Sequence, residues 1–112
     1  MQRVYTITEP KPPDSEFFVE IDISVWLDTE EISTVDFSAK NMETGETVTS
    51  TVLDTDHCTN TATVIKPWIQ DGLSDARYCV IMKVTSNGTP ASVETWYLIF
   101  EIDNNLPKIG PL

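Results

Sequence analysis

The sequence predicts an all-β domain of about seven strands, and three observations carry that prediction. Apolar and polar residues alternate from Phe17 to Leu27. Two further alternating runs, Tyr78-x-Val80-x-Met82-x-Val84 and Trp96-x-Leu98-x-Phe100-x-Ile102, flank Asn87-Gly88. The chain is rich in Thr and well supplied with Val, Ile, Tyr, Phe and Trp, which suit a pleated, half-buried surface. A period of two over such lengths argues for strands with one wet face, and no segment shows a convincing helical period.

In chain order, Val4-Tyr5-Thr6-Ile7 alternates briefly before Pro10-Lys11-Pro12-Pro13, where three prolines in four positions favour an extended linker. Residues 1–8 are therefore an arm leaving the domain or a first strand interrupted by prolines, and we assign 1–15 to an N-terminal arm and linker. From Phe17 to Leu27, the residues Phe17, Val19, Ile21, Ile23, Val25 and Leu27 share one face of a strand, and Trp26 stands on the polar side. Ile32 to Ala39 is a weaker strand with Val35, Phe37 and Ala39 inward. Met42 to Glu46 turns around Gly45, Thr47 to Leu53 reads as a strand, and Asp54 to His57 is a polar loop. Thr59 to Ile65 is the next strand, stopped by Lys66-Pro67 because proline cannot donate to a ladder. Asn87-Gly88 supports a two-residue type I′ turn joining the last two strands. The domain is thus expected over residues 16–103, with a proline-containing tail at 104–112.

At 112 residues the chain suits one domain, large enough to bury roughly two-thirds of its unfolded surface. The formal net charge of −11 would repel nucleic-acid phosphates and an anionic bilayer, so neither is an expected partner. No apolar run approaches the ~20 residues that span a membrane. The first residues lack the pattern of a secretory signal, which leads us to expect a protein made and kept in a cytoplasm, or assembled there into something larger. Two free thiols, Cys58 and Cys79, are the default expectation in such a compartment.

Chemistry-bearing motifs are scarce. His57-Cys58, flanked by Asp54 and Asp56, is the one place resembling a metal cluster, but no CxxC or HxxxH accompanies it, and a polar loop is the better reading. A catalytic triad would have to rest on the single histidine, and no GxSxG elbow supports one. Asp28, Glu30 and Glu31 in one turn, and Asp71 and Asp75 about another, lack calcium-loop spacing. Asn87-Gly88-Thr89 matches a glycosylation pattern that the hairpin explains without glycan. No catalytic residue, metal or cofactor is therefore expected. Among Trp26, Trp68 and Trp96, the large aromatics of a sandwich ordinarily close the ends of its core. Trp26, on an otherwise polar face, is the expected partner contact, together with Leu106, Ile109 and Leu112 of the apolar tail.

The Leu73…Tyr78-x-Val80-x-Met82-x-Val84 stretch resembles the tyrosine-corner strand of immunoglobulin and fibronectin type III-like β-sandwiches. Val80 stands where an antibody-type domain has cysteine, which argues against a disulfide-pinned secreted relative. A narrower resemblance runs from about residue 12 to residue 102. Pro12-Pro13-Asp14-Ser15-Glu16, Ile23-Ser24-Val25-Trp26-Leu27, Glu31-Ile32-Ser33, Trp68-Ile69-Gln70-Asp71-Gly72, the Tyr78 strand and Thr85-Ser86-Asn87-Gly88 follow in the order seen in small tailed-phage proteins. The chain resembles the phage fiber–tail adaptor family, with a departure at Thr89-Pro90-Ala91-Ser92, where that family usually carries a basic residue. The resemblance implies a non-enzymatic virion protein, assembled in the host cytoplasm, oligomeric in the particle, and bridging tail or neck and fibre proteins through edges and termini. The competing expectation is a carbohydrate- or cell-surface-binding module that uses exposed tryptophans.

Overall fold

A computed structural model describes residues 3–71 and 73–103. The architecture is predominantly β, organised around one long antiparallel pair. β8 (Ala76–Ser86) and β9 (Val93–Ile102) run in continuous register from Ala76↔Ile102 to Thr85↔Val93. Every second residue of β8 from Ala76 to Ser86 is buried, and Trp96, Leu98, Phe100 and Ile102 of β9 are buried opposite them. The period of two thus becomes one continuous apolar face. β4 (Ile32–Asn41) pairs with the other edge of β8, bringing Ala39 against Val80 and Phe37 against Met82.

The other side of β9 receives β1 (Val4–Thr6) in parallel register, Val4↔Tyr97 to Thr6↔Ile99. The hydrogen bonds continue beyond the strand: the N–H groups of Ile7 and Lys11 donate to Ile99 O and Glu101 O, both at 2.9 Å. Arg3 adds an ion pair with Glu94 at 2.6 Å. Of the two readings open for residues 1–8, the interrupted strand is the one observed over residues 3–8. Tyr5 and Ile7 have apolar surface to place on the core, and the pairing interrupted at Pro10 resumes at Lys11, which bridges to Ile102. The four-stranded order is β1-β9-β8-β4.

A second layer packs on the inner face of this sheet. β2 (Phe17–Phe18) pairs with β7 (Trp68–Ile69), and β3 (Ile21–Asp22) with β6 (Val64–Lys66). Both ladders keep one register, and the interruption falls at Pro67, which has no N–H to donate. β5 (Thr59–Asn60) pairs with β6 through a tight turn. The Thr61 hydroxyl closes that turn by accepting the N–H of Val64 at 3.1 Å. The predicted single strand Thr59–Ile65 is therefore a short hairpin. Phe17 meets Phe100 edge-on at 5.5 Å, and Ile21, Ile65 and Ile69 join the same core as the β8–β9 face.

Three further expectations are corrected. The predicted strand Phe17–Leu27 ends at Asp22, and α1 (Ser24–Leu27) is a single helical turn. The Asp22 carboxylate starts it by accepting the Ser24 N–H at 2.9 Å, and Leu27 N–H closes on Ile23 O. Positions four apart share a face under either period, so Ile23 and Leu27 are buried as a strand would have them. Val25 exposes the difference, being 84% accessible. The predicted strand Thr47–Leu53 contains α2 (Thr49–Val52) instead. The adjacent Val52 and Leu53 are both buried, which alternation cannot achieve. The Gln70 amide stabilises that turn by donating to Ser50 O at 2.7 Å and Leu53 O at 2.9 Å.

Finally, Asn87-Gly88 is not a two-residue turn. Residues 87–92 form a six-residue loop between β8 and β9, and neither Asn87 nor Gly88 has the positive φ that a type I′ turn requires. Asn87 serves as a clamp: its N–H donates to Glu31 O and its Oδ1 accepts the Glu31 N–H, both at 2.9 Å. The buried Ser86 hydroxyl accepts the Ser92 N–H at 2.9 Å and closes the loop. The Gly45 turn is as expected, with φ at 76° and Asn41 Oδ1 accepting the Glu43 N–H at 2.9 Å.

At the entry to β8 the Tyr78 hydroxyl donates to Ser74 O at 2.9 Å, while its ring stacks on Phe100 at 5.6 Å. Burial pushes the phenol above its ordinary value near 10, and the Glu43 and Asp75 carboxylates add to that shift. Above pH 10 the unfolded chain loses this proton first, so stability falls as pH rises further. Replacing Tyr78 with Phe should lower stability by about 1 kcal/mol at neutral pH. It should also flatten that alkaline decline, as read from urea unfolding at several pH values.

Candidate interaction surface

Among the described residues no group of three or more His, Cys, Asp or Glu side chains could hold a metal ion. No helix among them is long and apolar enough to cross a membrane. His57 lies in its predicted polar loop, with Nδ1 2.7 Å from Asp54 Oδ2. Surface chemistry therefore centres on aromatic and apolar groups, and the three tryptophans occupy three different environments.

Trp96 is fully buried at the centre of the inner face, and its indole nitrogen has no hydrogen-bond partner among the described residues. Trp26, projecting from α1, covers it edge-to-face with ring centroids 4.9 Å apart. The helical turn thus carries Trp26 off the polar face that alternation assigned to it and half-buries it against the core. What this turn offers to solvent is Val25, the most exposed large hydrophobic residue among those described. The position singled out in the sequence is accordingly a core cover beside an apolar protrusion. Leu106, Ile109 and Leu112 lie outside the described residues.

Trp68 is the centre of a cluster that sequence reasoning treated as a core end. Cross-strand pairing sets it opposite Phe18, and the two rings stack at 4.9 Å with an interplanar angle of 21°. The Trp68 indole N–H donates to Glu16 Oε1 at 2.7 Å. Lys66 places its ammonium 4.2 Å from the Phe18 centroid, and the His57 ring lies 5.4 Å from that of Trp68. Phe18 remains 45% exposed. Readable signals were the order Phe17-Phe18, giving one residue to each face, and Lys66-Pro67-Trp68, where proline interrupts the pairing. The cross-strand partnership itself requires the tertiary register.

The outer face of the four-stranded sheet carries a third apolar feature. Register aligns Ser38, Ile81, Tyr97 and Val4 in one row, and Lys40, Cys79, Ile99 and Thr6 in the next. Asp36, Lys83 and Arg77 stand around these rows, so the face is mixed rather than greasy.

Both cysteines are free and belong to different layers. Cys79 is on the outer face of β8, whereas Cys58 accepts the Trp68 N–H at 3.3 Å beside β7. Burial raises both thiols above the ordinary value of 9.0, with Asp54 adding to the effect at Cys58 and Lys40 opposing it at Cys79. Neither has the electropositive setting of a reactive thiol.

Residues 11–96 match the protein family described as "Podophage GP4 fiber-tail adaptor protein gp77". That span runs from the lysine that bridges to Ile102, through both layers, to the buried Trp96. Comparison with curated proteins and with solved structures finds no match.

Two outcomes are expected. Trp26→Ala should destabilise the fold by about 2 kcal/mol, below the cost of truncating a fully buried tryptophan, because it uncovers Trp96 but removes only a half-buried ring. Guanidinium unfolding measures this. Alkylation of both thiols by iodoacetamide should be slow at pH 7.5 and accelerate only above the pH range of an exposed cysteine, which mass spectrometry of the intact chain records.

Proposed function

The chain belongs to the podophage GP4 fiber-tail adaptor gp77 family, and from that premise we propose that it is a non-enzymatic structural component of a phage virion, bridging tail or neck and fibre proteins. The observation that carries this reading is the extent of the match, which takes in most of both β layers rather than one motif. The placement of the single histidine favours the same view. The single histidine sits on the surface with Asp54, and among the described residues its ring is hydrogen-bonded to no nucleophile.

The fold we infer is an immunoglobulin-like sandwich. The order β1-β9-β8-β4, with the first strand parallel to the last, supports it, as does the Tyr78-to-Ser74 hydrogen bond at the head of β8. In this reading residues 16–103, with β1 joined to their sheet, are the scaffold, and the proline linker and residues 104–112 extend its contacts. Partner contacts fall at the α1 turn, through Val25 and the adjoining edge of Trp26, and at Leu106, Ile109 and Leu112. The acidic surface steers encounter with a basic partner and disfavours nucleic acid. The protein resides in the particle, in several copies, after assembly in the host cytoplasm.

A second reading, a glycan-binding module, is favoured by one observation, the partly exposed Phe18–Trp68 stack. Each of these rings already has one face on the other, and the family match carries no comparable support for glycan binding.

Co-expression with the tail, neck and fibre proteins of the same phage decides the issue. The intact chain should co-purify with at least one of them, and Val25→Asp should weaken that association at least tenfold while leaving the melting temperature unchanged. An intact chain that binds none of those proteins, but shows tryptophan fluorescence shifts across a glycan panel, would transfer the assignment to the second reading.

A further inference from the structure

β4 ends the four-stranded sheet, and its free edge is closed at both ends but open in the middle. At one end Ile32 N–H donates to Ala62 O at 2.8 Å. At the other, Ala39 O accepts the Val48 N–H at 2.8 Å and Ala39 N–H donates to Thr49 Oγ1, while Asn41 N–H donates to Glu46 O at 3.0 Å. In an antiparallel ladder, outward and inward backbone groups alternate. Ala39 and Asn41 face outward, so Phe37 and Val35 do too. Neither has a hydrogen-bond partner on that edge among the described residues.

The side chains at this window are also unfinished. Val35 and Phe37 lie opposite the fully buried Val84 and Met82 and share the inner face with Ala39, yet both are only partly buried. The α2 turn covers the Ala39 end of the strand, where Ala39 is fully buried, whereas Val35 and Phe37 are only partly buried by the described residues. Sheet edges are ordinarily blunted by proline, lysine or an inward charge. Between Ile32 and Ala39 the sequence is Ser-Thr-Val-Asp-Phe-Ser, whose one charge, Asp36, points to the outer face.

We propose that the β4 edge from Thr34 to Ser38 is a strand-addition site, and that its occupant is an extended segment of another protein with alternating apolar and basic residues. The apolar residues would cover Val35 and Phe37, the backbone would take up their outward N–H and C=O groups, and Lys or Arg would stand beside Asp36 on the outer face. Charge selects this occupant over a second copy of the chain. Antiparallel pairing of two β4 edges brings two Asp36 carboxylates within two positions of each other, between molecules of net charge −11 each. Glu30 and Glu31 at the entry to β4 extend the acidic border. The proposal rests on the adaptor reading for the existence of a protein partner and adds where and how that partner is held.

Seven-residue capped peptides of alternating Lys and Val, and of alternating Glu and Val, are suitable probes. NMR of the full chain should show the Lys–Val peptide binding at least tenfold more tightly than the Glu–Val peptide, with slowed amide exchange at Val35 and Phe37. Val35→Pro removes an outward N–H, a change that an edge strand tolerates, and should abolish binding while near-UV circular dichroism stays native. Asp36→Lys should reverse the preference between the peptides, and serves alone if the proline variant unfolds. Binding of neither peptide, binding indifferent to both variants, or a concentration-dependent dimer removed by Val35→Pro would each overturn the proposal. If the intact chain co-purifies with a tail or fibre protein and Val35→Pro does so equally well, the edge site fails while the adaptor reading stands. If the intact chain binds no such protein, it is the adaptor reading that fails.

Discussion

The inner face of the β8–β9 pair is the surface on which every other element depends. Tyr78, Val80, Met82 and Val84 face the same interior as Trp96, Leu98, Phe100 and Ile102, and all eight are buried. Burying such side chains is worth about 1.5–3 kcal/mol each, more than the short ladders can supply from their own pairing. β2 and β3, each two residues long, are held by docking Phe17 on Phe100 and Ile21 in the common core. The α1 turn is held likewise, by Leu27 and by the Trp26–Trp96 contact. Neither helical turn is long enough to be stable alone.

This dependence explains which parts of the fold could be read from the residues. β8 and β9 were legible because their alternation is long and one face is decisively apolar, and β4 more weakly through Val35, Phe37 and Ala39. Where two periods coincide, the pattern is ambiguous. Ile23 and Leu27 satisfy both a strand and a helical turn, and the discriminating cues were Asp22-x-Ser24, which starts a turn, and the exposure of Val25. Thr47 to Leu53 misled through β-branched propensity. The covering of Ala39 and the two carbonyls held by Gln70 outweigh that local preference, and no short-range signal announces Gln70. Asn87-Gly88 had the right composition for a tight hairpin, but Asn87 finds better use for its hydrogen bonds in Glu31, a residue far away in sequence.

The candidate surfaces were legible in proportion to how local they are. Trp26 was recognised as unusual, yet its neighbour Val25 is what the turn exposes. The Phe18–Trp68–Lys66 group depends on a register maintained across Pro67, and the β4 window depends on what fails to cover it. Neither is encoded as a motif. Both arise where a short element stops and leaves a neighbour partly finished, so the candidate surfaces of this chain are the incomplete edges of its packing.

The parallel pairing of β1 with β9 has a mechanical consequence. Traction on the chain through its N-terminal side and through the end of β9 pulls the two strands in opposite directions along their common axis. The bonds Tyr97 N–H to Arg3 O, Ile7 N–H to Ile99 O, and Lys11 N–H to Glu101 O then carry load in shear, together, rather than peeling one after another. Resistance to such traction is set by the barrier to unfolding rather than by equilibrium stability. A small module with modest overall stability can therefore hold under tension applied along this axis, and yield more readily to the same force applied across the sheet.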